Sequence, residues 1–542
     1  VGLRRIAALA GLGVVAGALL GVGAGDASLG LLRPREVGAI KAAVAVAATL
    51  LLAAGAWLDR RGAADRHRRG RDAALACLGL LGAACWWNLF QFNYPGFGHP
   101  SDTFHYYLGA KYFPELRYTR LYACVAVADA EAGALGADDA RPLRDLETNR
   151  LGTSAAALAD PEGCTSHFGA GRWQEFRHDV DFLRSQVGVR SWRRFQQDHG
   201  YNATPVWSLL GRALTATGPA SGAQLAALRA LDPVLLALMF AGIAWAFGWR
   251  IACIAAIYWG TNYAAPYGWT GGSILRQDWL AATVLGICLL RRERFAGAGA
   301  LLAIAALLRL VPVFAIAGVA LGIGGRLLRE RRLSLRPAER RFAAGAIAAG
   351  AAALLASAVW MGPAAWSEFA HNSRVHLATP LANHAGLRTI LSYDPAMRTE
   401  LSRDAALEDP MERWKAARSQ RSARFAWLHA ALAAGFGALI ALAGAGRPPW
   451  LAAVLGIAWI PIGAELTAYY WSVLLALAFL HERHAWLGAA LCGLSALGWW
   501  IGHAWHWTDQ IHVWLSVATA AFCAAAVLAI ALQGEREAAT RA

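Results

Sequence analysis

More than a dozen apolar runs, most long enough as helices to cross hydrocarbon and most separated by short turns, leave this chain few ways to fold. A helix needs about 20 apolar residues to cross roughly 30 Å of hydrocarbon. With 542 residues, 57% hydrophobic and only 16% charged, the chain repeats that pattern from end to end, and no soluble core explains it. The expectation is an all-α polytopic membrane protein with about 13–14 transmembrane helices. Its first run, Ile6 to Gly23, follows Arg4 and Arg5 as a signal peptide would, but Gly25-Asp26-Ala27-Ser28 is a poor cleavage site. It reads as a retained helix.

The net charge of +15 would suit a nucleic-acid binder, yet the arginines gather in loops between apolar runs: Arg60 to Arg71, Arg291 to Arg294 and Arg326 to Arg341. That is the positive-inside pattern. These loops are predicted to be cytoplasmic, both termini with them, and no nucleic-acid partner is expected. Of eight cysteines, six lie in apolar runs as small hydrophobes, and no CxxC occurs. Cys124 and Cys164 share a polar stretch; they form a disulfide if it faces an oxidising compartment, which spacing alone does not decide.

On this topology five regions follow: N-terminal transmembrane helices over 1–92, an extracytoplasmic loop domain over 93–228, a transmembrane core over 229–362, a second extracytoplasmic segment over 363–424, and C-terminal helices over 425–542. Within the loop domain, Trp173 to Phe195 has a helical amphipathic pattern. Arginines flank 296–325 on both sides, so this segment is predicted to be a short hairpin that turns at Leu308-Arg309-Leu310-Val311-Pro312. An arginine at hydrocarbon depth costs about 2.5–3.5 kcal/mol on insertion scales, so Arg309 needs water or an anionic partner.

The stretch after the third span, Asn93-Tyr-Pro-Gly-Phe-Gly-His-Pro-Ser-Asp102-Thr-Phe-His105-Tyr-Tyr-Leu-Gly-Ala-Lys111, holds the best functional candidate. Prolines and glycines keep its first half out of helix, and Ser101 or Asp102 is placed to cap a short helix over Thr103 to Tyr112. Asp102, His105 and Tyr106 then share one face. They read either as proton-transfer groups at a membrane boundary or as a capping aspartate within an aromatic belt.

The remaining polar residues fall on the same predicted side: Lys111; Arg276 and Asp278; Arg309; His371, Arg374, Asn383 and Arg388; and Glu465 with Tyr469. Cations and a few carboxylates among apolar walls describe a site for an anionic amphiphile such as a lipid phosphate. The plainer readings are an interfacial Arg276–Asp278 pair, a snorkelling Arg309, a helix-ending Glu465 and solvated loop histidines. Asp102 and His105 at i,i+3 would suit a divalent cation, but two ligands are a weak signal and no third is identifiable. No nucleotide, flavin, nicotinamide or haem motif is present, and no cofactor is expected. Tryptophans at 86, 87, 269, 366 and 471 read as sugar-stacking platforms or as interfacial anchors.

In the order and sidedness of these motifs the chain resembles the GT-C superfold of integral-membrane glycosyltransferases, in particular the bacterial polyprenyl-phosphate-mannose-dependent mannosyltransferases. The resemblance rests on Asp102-Thr-Phe-His-Tyr-Tyr early in the first large external loop, Gly-Gly-Ser-Ile-Leu-Arg-Gln-Asp278 opening a span, Leu308-Arg309-Leu-Val-Pro312, and Asn383-His-Ala-Gly-Leu387. It covers about residues 73 to 480. The chain departs from the family in its two preceding spans, in an arginine where the family has lysine before proline, and in its long first loop.

The resemblance implies a transferase in the bacterial inner membrane whose site faces the exterior. Sugar would pass from a polyprenyl-phosphate donor to a lipid or glycan acceptor with inversion. Asp102 would be the base, His105 would orient it or the acceptor, and Arg309, with Arg276 or Arg374, would neutralise the leaving phosphate. Two other readings stand beside it: a transporter or flippase for a lipid-linked saccharide, and a structural subunit of a membrane complex. Neither is favoured by internal repeats.

Overall fold

A computed structural model describes residues 32–92, 97–134 and 140–541, with side chains described as far as 533. The predicted span at Ile6–Gly23 lies outside the described residues. The fold is mostly helical, and among the described residues six helices are long and apolar enough to cross a membrane: Pro34–Arg60, Gly222–Phe247, Pro337–Met361, Ala426–Gly444, Ala485–Ala504 and Thr508–Gln533. Shorter apolar helices, among them Phe295–Leu308 and Pro449–Gly463, pack between and beside them. Among the described residues, helices occupy each of the predicted transmembrane regions, 1–92, 229–362 and 425–542.

Side-chain exposure explains how the long helices sit. Pro337–Met361 packs along Phe295–Leu308, while Ile347, Leu355, Val359 and Trp360 on its other side stand well exposed. An apolar face of this kind has no partner inside the protein, and lipid is the medium it suits. Where helices do meet, glycines bring backbones together: a Cβ on Gly318 would lie 2.2 Å from the Ala452 carbonyl oxygen, and one on Gly456 2.1 Å from that of Phe314. Small residues at such crossings let van der Waals packing replace the hydrophobic effect that lipid removes.

The segment Ala468–Glu482 is wound as a 3₁₀ helix and is buried from Trp471 to Leu480, between Ala485–Ala504, Trp249–Thr261 and Pro449–Gly463. At about 2.0 Å per residue, 15 residues in this form reach roughly 30 Å. A run that looks too short for an α-helical span is thus long enough.

Hairpin 296–325 is two helices, Phe295–Leu308 and Val313–Glu330, with Arg309 at the turn as expected. The polar region after residue 96 is a cluster of short helices packed on the bundle, closed by a disulfide between Cys124 and Cys164. Its core includes Asp129, fully buried, which accepts bonds from Arg141, Arg184 and Trp192. The continuous amphipathic pattern over Trp173–Phe195 is broken: Ala170–Ser185 ends and Val189–Phe195 restarts after Gly188, whose extended backbone is the new N-cap. In the second polar segment, residues 397–424 are helical only in part, as Thr399–Ser402 and Glu412–Arg424.

Candidate functional site

The helix Pro100–Lys111 begins differently from the expectation, and the difference matters. Its N-cap is His99, whose Nδ1 accepts the Asp102 backbone N–H at 3.2 Å, with Pro100 at the first helical position. Asp102 sits in the first turn instead. Its carboxylate caps nothing and is free to face outward from the helix start.

The preceding loop is pinned to a second loop. Tyr267 donates its hydroxyl to the Phe97 carbonyl (2.6 Å), and the His99 N–H donates to the Gly272 carbonyl (2.8 Å). Gly272 has φ +71°, and a Cβ there would stand 2.0 Å from the Phe97 oxygen, so the Gly-Gly-Ser stretch owes its glycine to this close approach. Downstream, the buried carboxylate of Asp232 accepts the backbone N–H groups of Arg276 and Gln277, each at 3.0 Å. Asp232 therefore sets the loop that presents Arg276.

These loops, the hairpin turn and the segment 383–384 surround a cavity of about 560 Å³. On one wall, Arg276 Nε lies 3.5 Å from Asp102 Oδ2, its Nη1 donates to the Tyr106 hydroxyl at 3.1 Å, and its guanidinium stacks over the Tyr469 ring at 4.7 Å. Arg309 lies over the Tyr106 ring at 5.1 Å. It is 5% exposed, its Nε is buried without a hydrogen-bond partner, and among the described residues no carboxylate forms an ion pair with it. Asp102 Oδ2 likewise accepts no hydrogen bond. Burial pushes the Asp102 carboxyl up, but the Arg276 guanidinium beside it, with Arg309 adding to its effect, outweighs burial and holds the group below the usual carboxylate range. Asp102 is thus an anion at neutral pH.

The other wall is built on Glu465. Its Oε1 accepts from Arg418 Nη2 (2.6 Å) and Thr389 Oγ1 (2.8 Å), while Oε2 lies 3.8 Å from Arg388 Nε and 3.9 Å from His384 Nδ1. Burial alone would raise Glu465; Arg418 and His384 lower it below its ordinary value. Burial depresses His384 and His376, each to about 4, so both are neutral at pH 7. A two-residue antiparallel bridge, His384–Ala385 with Leu466–Thr467, joins the motif 383–387 to the Glu465 turn. Gly386 follows at φ +136°, where a Cβ would meet the Ala464 carbonyl at 2.4 Å.

The structure thus brings Asp102, His105, Arg276, Arg309, Asn383, Glu465 and Tyr469 to one cavity. His105 is not placed as expected relative to Asp102: Nδ1 bonds the Ser101 carbonyl (2.8 Å) and Nε2 the Tyr122 hydroxyl (2.6 Å), so both ring nitrogens are occupied elsewhere. Lys111 points away from the cavity and is fully buried against Asp179. Asp278 is not paired with Arg276; one of its oxygens takes its neighbour's N–H and the other is buried without a bond. Arg374 is exposed and outside the cavity lining, and Arg388 stands half-exposed at the edge of the Glu465 group. Of the tryptophans, Trp86, Trp87 and Trp471 are core, and Trp269 lines the cavity.

Sequence reasoning passed over His99, Asp232, Arg418 and Thr389. Arg418 left a signal: Trp414, Arg418 and Ser422 are four apart and form the buried face of Glu412–Arg424. Asp232 left none beyond its position at a helix start. Among the described residues no three His, Cys, Asp or Glu side chains are grouped as for a metal ion. Comparison with known proteins finds no matching family model, curated protein or solved structure.

Proposed function

We propose that the protein is a membrane glycosyltransferase of GT-C type, with its site on the extracytoplasmic face. It moves a sugar, mannose or another hexose or pentose, from a polyprenyl-phosphate donor to a lipid or glycan acceptor with inversion. The observation that carries this reading is the meeting of two groups in one cavity: an ionised Asp102 whose Oδ2 has the Arg276 ion pair at 3.5 Å but accepts no hydrogen bond, and a buried Arg309 with no ion-pair partner among the described residues. A base and an anion receptor side by side suit displacement of a phosphate by a hydroxyl.

In the proposed step the acceptor oxygen forms a bond to the anomeric carbon as the bond from that carbon to the phosphate oxygen breaks. Asp102 takes the acceptor proton, and the lipid phosphate leaves with the bonding electrons, its charge met by Arg309 and Arg276. Arg276 serves both partners. While it faces Asp102 alone it depresses that carboxylate; a donor phosphate that shares its charge restores basicity to Asp102 when the donor is in place. Tyr106 and Tyr469 hold the two guanidinium groups by ring stacking, the geometry in which arginine keeps its planar fork for phosphate.

The test is transfer from a panel of radiolabelled polyprenyl-phosphate sugars by membranes with and without the full chain, with the anomeric configuration of the product read by NMR. Transfer with inversion is expected. Movement of intact donor across proteoliposomes without transfer would establish the transporter reading instead.

A further inference from the structure

A second cavity, of about 350 Å³, opens at the opposite end of the bundle, where the arginine-rich loops lie. It is bounded by Pro34–Arg60, Arg68–Trp86, the start of Trp249–Thr261 and the end of Ala468–Glu482. Its floor is apolar, from Leu51, Leu52 and Leu75, and its rim carries Arg68, Arg71, Arg250, Asp72, Asp59 and His481. The Asp102 cavity lies a full helix length away, at the other end of Asp278–Arg291 and of Ala468–Glu482.

The rim charges are not equivalent. Arg250 and Asp72 neutralise each other through two bonds, 2.8 and 2.6 Å, and Arg68 has Asp65 at 3.1 Å in exposed positions. Asp59 lies toward Arg250 and His481 and has an effect on both. Arg71 is the exception. Among the described residues it has no ion-pair partner; it donates one bond, to the Ala64 carbonyl, and its Nε is buried without a partner. It lies against Gly55, where an added Cβ would stand 2.9 Å from its Nη1. The glycine leaves room for this guanidinium to lie along the helix Pro34–Arg60 at the cavity wall.

Beside this site the helix Pro34–Arg60 turns Val46 and Leu50 outward, exposed, so the apolar floor continues into the face that lipid would cover. A guanidinium with unspent donors above an apolar floor that leads to the lipid-facing surface matches one ligand chemistry: a phosphate ester attached to acyl chains. We propose that this cavity is a structural site for the headgroup of a glycerophospholipid, with its phosphate on Arg71 and its chains along Leu51, Leu52 and Leu50. The site is separate from the donor cavity and does not rest on the transferase reading.

Native mass spectrometry of the detergent-purified full chain tests it, with phosphatidylglycerol, diacylglycerol of the same chains, and inorganic phosphate each added in turn. Phosphatidylglycerol should be retained by the wild type and by Asp102→Asn. Retention should fall at least about tenfold in Arg71→Gln, the loss of one charge-assisted phosphate contact, and by a smaller factor in Gly55→Ala, whose added methyl shifts the guanidinium tip without changing charge. Diacylglycerol should not be retained, and millimolar phosphate should not displace the lipid. Equal retention of diacylglycerol, retention unaffected by both variants, or displacement by free phosphate would each overturn the proposal. Gly55→Ala keeps the test decisive should Arg71→Gln fail to fold.

Discussion

The helix Pro100–Lys111 carries a buried ion pair at each end, and the two ends are built to opposite rules. At its C-terminal end Lys111, fully inaccessible, meets Asp179 Oδ2 at 2.7 Å, Glu175 Oε1 at 3.0 Å and the Gly218 carbonyl at 2.6 Å. The other oxygen of Asp179 accepts the Ala220 N–H, and the Tyr112 hydroxyl adds a further bond. Every ammonium hydrogen has an acceptor. At its N-terminal end Asp102 and Arg309 keep bare polar atoms in a cavity. Desolvating charge is costly in both places. Only the first compensates that cost internally; the second keeps donors and acceptors in reserve for a ligand.

Substitution should separate the two ends. Lys111→Met leaves Asp179 buried without its cation, while Glu175 keeps Arg172 at 2.7 Å; it should cost about 3–5 kcal/mol, read as a fall in denaturation midpoint or as failure to accumulate. Arg309→Gln removes a buried charge that has no direct ion-pair partner among the described residues; its melting temperature should hold or rise, while sugar transfer falls about 10²–10³-fold. A large loss of stability in Arg309→Gln would mean that the N-terminal end is as structural as the other.

Below these in size comes the disulfide. The Cys124–Cys164 bond closes a loop of 40 residues' separation, and Cys124→Ser with Cys164→Ser should cost about 2–5 kcal/mol, measured by proteolysis of the polar domain. Acid should act next, through His376 and His384. Their folded values of about 4 lie below the unfolded value of about 6.5, so the unfolded chain takes up protons first. Their contribution is complete above pH 6.5 and is lost as pH falls from there toward 4. A double change to Gln should flatten the thermal stability profile across that window; an unchanged slope would remove both histidines from the account. Arg388→Ala should have the smallest effect, under about 1 kcal/mol, because Arg388 is 41% exposed and 3.8 Å from Glu465.

The sequence made the helices plain because lipid-facing and core-facing residues are both apolar, so whole spans stand out whatever their neighbours. The 3₁₀ winding of Ala468–Glu482 was not legible, since a 3₁₀ rise cannot be read from composition. Asp102, Arg276 and Arg309 were legible as charges where charge is costly. The identity of their partners was not. Lys111 lies nine residues from Asp102 on one helix, and its commitment to Asp179 depends on a contact 68 residues away in sequence. Asp232, which sets the Arg276 loop, and Arg418, which holds Glu465, act through backbone N–H groups and long-range pairing that no local pattern encodes.

The most direct measurement is the initial rate of sugar transfer by purified Asp102→Asn, taken together with its affinity for the polyprenyl-phosphate donor. Asn keeps the shape and removes the base, so donor affinity should be retained while transfer falls by about 10²–10⁴-fold. Transfer at the wild-type rate by a variant that binds donor normally would contradict the role given to Asp102.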